Sequence, residues 1–463
     1  MALDAAEQLS DRADGDARQG VRVRRRYIIR LVSGYSHETA TTTAVHFPAG
    51  GVTTPGRNLY LLFVASWFLH LPARLPALGA IRIDLLLVVV LVIIAFINRP
   101  KEETAAATPT DKALRMLFVY AILAAPFVEW PGSVLRAGIP EFIKAAVFYY
   151  FTVAFVRSES DLKALLTVFV ACQVYRVLEP LYLHFAYDYW GSAASMGGSD
   201  FLERLSGSPW DVVNPNGLAA VICTVLLFLY YMAGLSPLTT VAFLSVVPIC
   251  LYALSLTGSR SGFLALLVIL AVIVLKAQRR LLVGAAGAIV LLVGFQFLSA
   301  DQRDRYLSVF GEGERNAQTA EQRIDNLESD LAVGMRRPIL GYGLGTSREA
   351  NANFGERDAP SHNIYLEVFQ ELGLVGLPIF LVVLGSIIRA CLELKRTRAG
   401  TDASAFQPRL SDAMQVWLWM NLLFSLASYG LSDYTWYLLG GLAVAMRRMA
   451  VAPTTNVPRA LGM

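Results

Sequence analysis

Three short segments hold the residues whose types and spacing can do chemistry. In "LTGSRSGFLALL" (256–267), Arg260 stands among Gly258, Ser259, Ser261 and Gly262. Such small neighbours let a bulky anion approach, and a guanidinium grips phosphate oxygens through two parallel hydrogen bonds. In "TAEQRIDNLESDLAVGMRRP" (319–338), Arg323 lies beside an apolar stripe of Ile324, Leu327 and Leu331 on one helical face. In "APSHNIYLEVFQELGLVGLP" (359–378) stands His362, the only one of the five histidines that follows residue 184. Ser361 reads as an N-cap, which puts His362 in the first turn of a helix, where the dipole disfavours an added positive charge. A histidine kept neutral there can accept a proton, as a general base must. Each residue also has a plainer reading. Arg260 can be an arginine snorkelling to a membrane interface, Arg323 a solvated charge paired with Glu321 or Asp325, and His362 a hydrated helix start.

The elements that must position these residues are apolar. The chain has 463 residues, of which 55% are hydrophobic and 16% charged, with a mean hydropathy of +0.49. Soluble domains carry roughly 25% charged residues. Twelve apolar runs are bounded by charge, at about 58–72, 80–98, 113–130, 140–157, 163–184, 214–233, 237–256, 261–276, 281–299, 371–392, 412–429 and 432–447. The fold class expected is therefore all-α, a polytopic membrane helix bundle of about 12 transmembrane helices. Inner loops would carry Arg99, Lys101, Lys112, Arg157, Lys276, Arg279, Lys395 and Arg448, whereas the short outer ones hold far fewer: Arg74, Arg82, Arg136, Arg204 and Arg260. That alternation places both termini inside. The organisation expected is an inner basic tail (1–57), nine spans (58–299), an outer loop with amphipathic helices (300–370), three more spans (371–448) and a short inner tail (449–463). A second outer stretch, about 185–213, reads as a Gly/Ser-rich loop. Gly373 and Gly376 would hinge the His362 helix into the tenth span.

Other motifs exclude more than they suggest. "RRPILGYGLGTS" (336–347) lacks the lysine of a P-loop and the spacing of a dinucleotide fingerprint. Its three glycines read as a tight turn that lets a ligand or a helix end come close. Cys172, Cys223, Cys250 and Cys391 all fall inside apolar runs, far apart, as small apolar residues rather than a disulfide framework. No segment clusters carboxylates or histidines, so neither a metal nor a cofactor is expected. A net charge of +4 without a folded basic domain argues against nucleic acid as a partner. Arg82 with Asp84, Lys144, and Arg176 with Glu179 read as paired structural charges, and His184 and Asp188 as residues at an outer helix end.

Taken in order, "NPNG" (214–217), "TGSRSG", "EQRIDNLESDLAVGMRRPILGYGLG" and "SHNIYLEVFQELGLVG" resemble the O-antigen ligase and polymerase superfamily of bacterial cell-surface polysaccharide enzymes. The resemblance covers about residues 210–380 by motif. Where relatives carry an aromatic residue soon after the arginine matching Arg323, this chain has Leu327, Glu328 and Asp330. What the resemblance implies is a metal-independent, inverting glycosyltransferase of the membrane-embedded GT-C type in the bacterial inner membrane. Its donor would be a glycan on undecaprenyl pyrophosphate at the periplasmic face. Its acceptor would be another glycan or lipid A–core, and a chain-length regulator would be a further partner besides membrane lipids. Carried over by position, Arg260 and Arg323 would hold the pyrophosphate and His362 would be the catalytic base. Ser259, Ser261, Asn363 and Tyr365 would line the substrate. The competing expectation is a lipid-linked oligosaccharide flippase, which explains the spans but not the arginine- and histidine-bearing loop.

Overall fold

The computed structural model describes residues 54–98, 107–191, 204–296, 298, 303, 306–307, 314–355, 357–397, 405–428 and 430–451. For 290, 314–323, 395–397 and 451 the description stops at the backbone. Most of the expected N-terminal tail, the "GSAASMGGSD" stretch beyond Gly191, most of 297–313 and the C-terminal tail after 451 lie outside the described residues.

Among the described residues all regular secondary structure is helical. Twelve helices fall on the twelve apolar runs: α1 Arg57–Phe68, α2 Ile83–Ile97, α3 Pro109–Ala124, α4 Ile139–Phe155, α5 Glu159–Tyr187, α6 Pro215–Met232, α7 Pro237–Thr257, α8 Arg260–Lys276, α9 Arg280–Gln296, α12 Ile364–Thr397, α13 Phe406–Ser425 and α14 Tyr434–Val451. Two others, α10 Glu314–Arg336 and α11 Ser347–Phe354, occupy the expected outer loop. Four stretches are long and apolar enough to cross a membrane, namely Glu159–Tyr187, Pro215–Met232, Pro237–Thr257 and Ile364–Leu394.

Local chemistry sets the helix starts. Ser158 and Asp161 form a reciprocal capping box at α5, Asn214 accepts the Gly217 N–H at α6, and Ser236 and Thr239 cap α7. Packing then ranks the helices. α6 is apolar and buried nearly all round, as a central helix must be. α7 is peripheral and leaves Leu238, Val241 and Leu244 exposed, a face suited to lipid. Between α1, α4, α5, α13 and α14 lies an aromatic core in which Phe63, Phe148, Phe169 and Trp417 are fully buried. Phe68 meets Tyr434 edge-on at 4.7 Å between ring centroids, an arrangement aromatic quadrupoles favour.

One structural charge expectation needs correction. Arg176 does not pair with Glu179. It reaches Asp211 in the loop before α6, with Nε donating to Oδ2 at 2.5 Å and Nη2 to Oδ1 at 3.0 Å. Glu179 is instead gripped by Arg74. Residues three apart on one helix can touch, but partners from separate elements offered both oxygens of each carboxylate in a two-pronged match. Lys144 pairs with Glu141 at 2.6 Å.

The tenth apolar run is not one straight helix. Gly373 adopts φ 66°, ψ −167°, which splits α12 into a short arm, 364–372, and a long arm, 374–397. The hinge was expected at this glycine together with Gly376, which instead continues the long arm as helix. A Cβ there would lie 2.2 Å from the Ile339 carbonyl oxygen, so only glycine fits.

A candidate site where the outer loop meets the bundle

The turn bearing Arg260 is built by close approach. Gly258 ends α7 in the left-handed region at φ 54°, and Ser259 caps α8 by accepting the Gly262 N–H at 3.1 Å. Gly262 lies so close to α6 that a Cβ would stand 2.5 Å from that of Ala219. Asn216 locks the turn from outside, its Oδ1 accepting from Ser259 Oγ at 2.8 Å and from Arg204 Nη2 at 3.2 Å. Arg204 Nε also donates to the Thr257 carbonyl at 2.8 Å. Arg260 therefore becomes the first residue of α8 and is half-buried. A cation at a helix N-terminus gains nothing from the dipole, which prefers cations at the other end. Its charge adds instead to the positive potential of the free N–H groups, an arrangement that favours an anion. Ser259 itself is fully buried and spends its hydroxyl on the cap, whereas Ser261 faces a cavity.

The segment bearing His362 is held by one carboxylate. Asp330 on α10 is 1% exposed and gathers three side-chain donors: Arg357 Nη2 at 2.7 Å, Asn351 Nδ2 at 3.0 Å and Ser361 Oγ at 2.8 Å. Gln370 Nε2 adds bonds to the Asp330 carbonyl at 2.9 Å and to Asn351 Oδ1 at 2.8 Å. Arg348 grips Asp358 with two prongs at 2.7 and 2.9 Å, and this holds the Asp358 carboxyl below its ordinary range. The result is a braced stalk on which His362 is exposed. Ser361 was expected to cap the following helix. Asn363 does so, its Oδ1 accepting from the Tyr365 and Leu366 N–H groups at 3.0 and 3.2 Å. α12 accordingly starts at Ile364 and His362 precedes it instead of sitting in its first turn. The reason is that the Ser361 hydroxyl is drawn to Asp330. Removing that carboxylate by Asp330→Ala takes the shared acceptor from Arg357 and from the buried Asn351 and Ser361, a loss of about 2–4 kcal/mol of local stability. Backbone amides at 357–363 are then expected to lose most of their hydrogen-exchange protection, while those of α6 keep theirs.

Two further carboxylates clamp neighbouring loops to the short arm of α12. Glu367 accepts the Gly430 and Leu431 N–H groups at 2.8 and 3.1 Å, and Glu371 accepts those of Gly345 and Ser347 at 2.7 and 3.2 Å. The "GYGLG" turn closes over the end of this arm. Tyr342 and Gly343 N–H groups donate to the Gln370 and Glu371 carbonyls at 2.8 and 2.9 Å, satisfying acceptors that the break at Gly373 leaves open. The close partner that the glycines admit is thus a helix end. Gly341 holds φ 71°, and a Cβ there would stand 2.5 Å from the Glu371 carbonyl oxygen. Gly341→Ala is expected to cost about 1–3 kcal/mol, read as a lowered melting temperature of the detergent-solubilised protein.

The expected stripe on α10 faces outward. Ile324, Leu327 and Leu331 are 55%, 39% and 47% exposed, while Asp330 and Val333 point into the protein. The stripe therefore does not pack on the bundle.

These pieces converge on a cavity of about 180 Å³. Ser261, next to Arg260, and Ile364, two residues past His362, both line it, together with Asn216, Asn421, Ser425 and Asp433. Asn421 is 9% exposed and its Nδ2 has no partner among the described residues, which leaves a donor available within a largely enclosed wall. Tyr365 reaches the same wall, its hydroxyl 3.4 Å from Ser425 Oγ. Asn363 is half-buried and spends its side chain on the cap and on the Leu426 carbonyl at 3.4 Å. The backbone of Arg323 lies on α10, seven residues before Asp330, which is about 10 Å along a helix axis. Its side chain lies outside the described residues.

Sequence reasoning missed Asp330, Glu371 and Asp211. Asp330 lies about a quarter-turn round α10 from the apolar stripe, a position that carried no signal of its own. Residues 243–381 match the family model described as O-antigen ligase, a range that contains Arg260, Arg323 and His362. That match supports membership of the O-antigen ligase and polymerase superfamily and a role in cell-surface polysaccharide assembly. No curated protein matches the chain.

Proposed function

We propose that this protein is a membrane-embedded glycosyltransferase that moves a glycan from undecaprenyl pyrophosphate to a sugar hydroxyl at the periplasmic face of the inner membrane. It acts as a polymerase or as an O-antigen ligase. In this reading all twelve apolar helices cross the bilayer with both termini inside, and α10 lies on the outer leaflet through Ile324, Leu327 and Leu331. The observation that carries the proposal is the convergence of Ser261 and Ile364 on one cavity. It gathers the Arg260 turn and the His362 stalk, which lie about a hundred residues apart in sequence, around one space.

The chemistry follows from those residues. An acceptor hydroxyl attacks the anomeric carbon from the face opposite the leaving group, and the bond to the pyrophosphate oxygen breaks with inversion. His362 takes the hydroxyl proton. Arg260 and Arg323 receive the developing charge on the pyrophosphate, where fixed cations act without reorganisation during the reaction. Because arginines meet that charge, no metal is needed.

Purified protein in detergent, given lipid-linked glycan extracted from its host, is expected to form glycosidic product in the presence of excess EDTA. Failure of wild type to form any product would sink the enzyme reading and favour a flippase. Loss of product only in EDTA would overturn the metal-independent part. Loss of the protein in cells separates the two transferase roles: single lipid-linked repeat units accumulate for a polymerase, and long lipid-linked chains for a ligase.

A further inference from the structure

Beside the cavity of the candidate site lies a second cleft of about 350 Å³, within the range of small-molecule sites. The two share Arg176, Val213, Asp433 and Tyr434 as walls. We propose that the cleft bounded by Trp67, His70, Trp210, Asp211, Asp433 and Tyr434 binds a sugar residue of the glycan being joined. This rests on the glycosyltransferase reading above and assigns a part of the site that the arginines and His362 leave unexplained.

Charge decides what kind of ligand fits. Arg176 is 7% exposed and already spends its guanidinium on Asp211 and Gln173, the latter at 2.9 Å. With Arg176 neutralised by Asp211, the ion pair adds no net positive charge to the lining, and Asp433 adds a further carboxyl. Such a lining suits uncharged hydroxyls better than a pyrophosphate, whose charge the paired Arg176 cannot offset. Aromatic surface supplies the rest. Trp67 is half-buried and Trp210 is 49% exposed, so rings are presented to an apolar sugar face with the Asp433 carboxyl placed to bond its hydroxyls.

The lining is also built in advance. Trp210 stands on a loop pinned by backbone bonds from Leu205 to Leu256 and from Ser206 to Trp190, each 2.9 Å, and by Tyr189 Oη donating to the Gly207 carbonyl at 2.9 Å. His70 adopts φ 51°, a left-handed conformation that costs energy for a residue with a side chain. Its Nδ1 is buried with no partner among the described residues, and its Nε2 lies 3.9 Å from Asp211. A residue held in this conformation at the cleft marks a wall fixed by its surroundings.

The test uses the full chain in detergent and two probes: an oligosaccharide freed by mild acid from the host's own surface polysaccharide, and lipid-linked glycan extracted from host membranes. Binding of the free oligosaccharide is read from tryptophan fluorescence, and KM is measured for each substrate separately. Trp210→Ala and the isosteric Asp433→Asn are each expected to weaken binding of the sugar by about ten-fold. Trp419→Ala, an exposed tryptophan elsewhere on α13, is expected to leave it unchanged. A raised KM for the free oligosaccharide assigns the cleft to the acceptor, and a raised KM for the lipid-linked glycan assigns it to the donor. If both variants fold and neither constant moves, the sugar subsite is overturned while the transferase stands. If wild type binds oligosaccharide through these residues yet forms no bond, the subsite stands and the transferase reading falls.

Discussion

His362→Ala is expected to lower kcat by about 10²–10⁴-fold, the range in which a positioned base contributes. The fold around the residue is held by other side chains. The stalk is braced by Asp330, Arg357 and Ser361, and the following helix is capped by Asn363. His362 precedes the helix and is exposed, so the loss falls on chemistry rather than on stability. Two readouts separate a base from a binding group. KM for the donor should stay within a few-fold of wild type, since no ground-state contact is removed. The acid limb of the pH–rate profile, where the base becomes protonated and cannot accept, should vanish in the variant. Full activity in folded His362→Ala would remove this residue from the mechanism.

Arg260→Ala should cost about 10²–10³-fold in kcat/KM, the loss typical of removing one group that meets developing negative charge. Here both constants should move, because the guanidinium meets the pyrophosphate before and during departure. Arg260→Lys is expected to recover only part of the loss. An ammonium keeps the charge but not the planar fork that meets two phosphate oxygens at once. The turn should survive either change, because Ser259, Asn216 and Arg204 supply its capping bonds. Thermal unfolding unchanged beside a large kinetic loss is the expected pair of results. A comparable fall in both would show that Arg260 serves the fold.

Much of the helical framework was legible because hydropathy and charge repeat on the scale of single helices. All twelve apolar runs became helices, and the break at Gly373 could be anticipated from a glycine between apolar arms. What escaped depended on partners distant in sequence. Ser361 and Asn363 are both good caps, and only Asp330, thirty-one residues away, decides between them by taking the Ser361 hydroxyl. Arg176 has an acidic neighbour three positions on, yet its carboxylate comes from Asp211, thirty-five residues later. The stripe on α10 was visible as an apolar face, but its outward direction depends on the buried contacts of Asp330 and Val333. Local pattern specifies an element, and long-range polar pairing specifies how it is turned.

The brace around Asp330 bears on how such a protein can be re-engineered. Asp330, Asn351, Arg357, Ser361 and Gln370 span forty positions, yet they form one polar unit. A chimera that swaps the outer loop between relatives at a boundary inside this range would join halves of two unrelated hydrogen-bond sets. Loop exchange aimed at altering which glycans are joined should therefore take residues 330–370 as one cassette. Partial grafts would insert into the membrane normally and still leave the histidine without a fixed address.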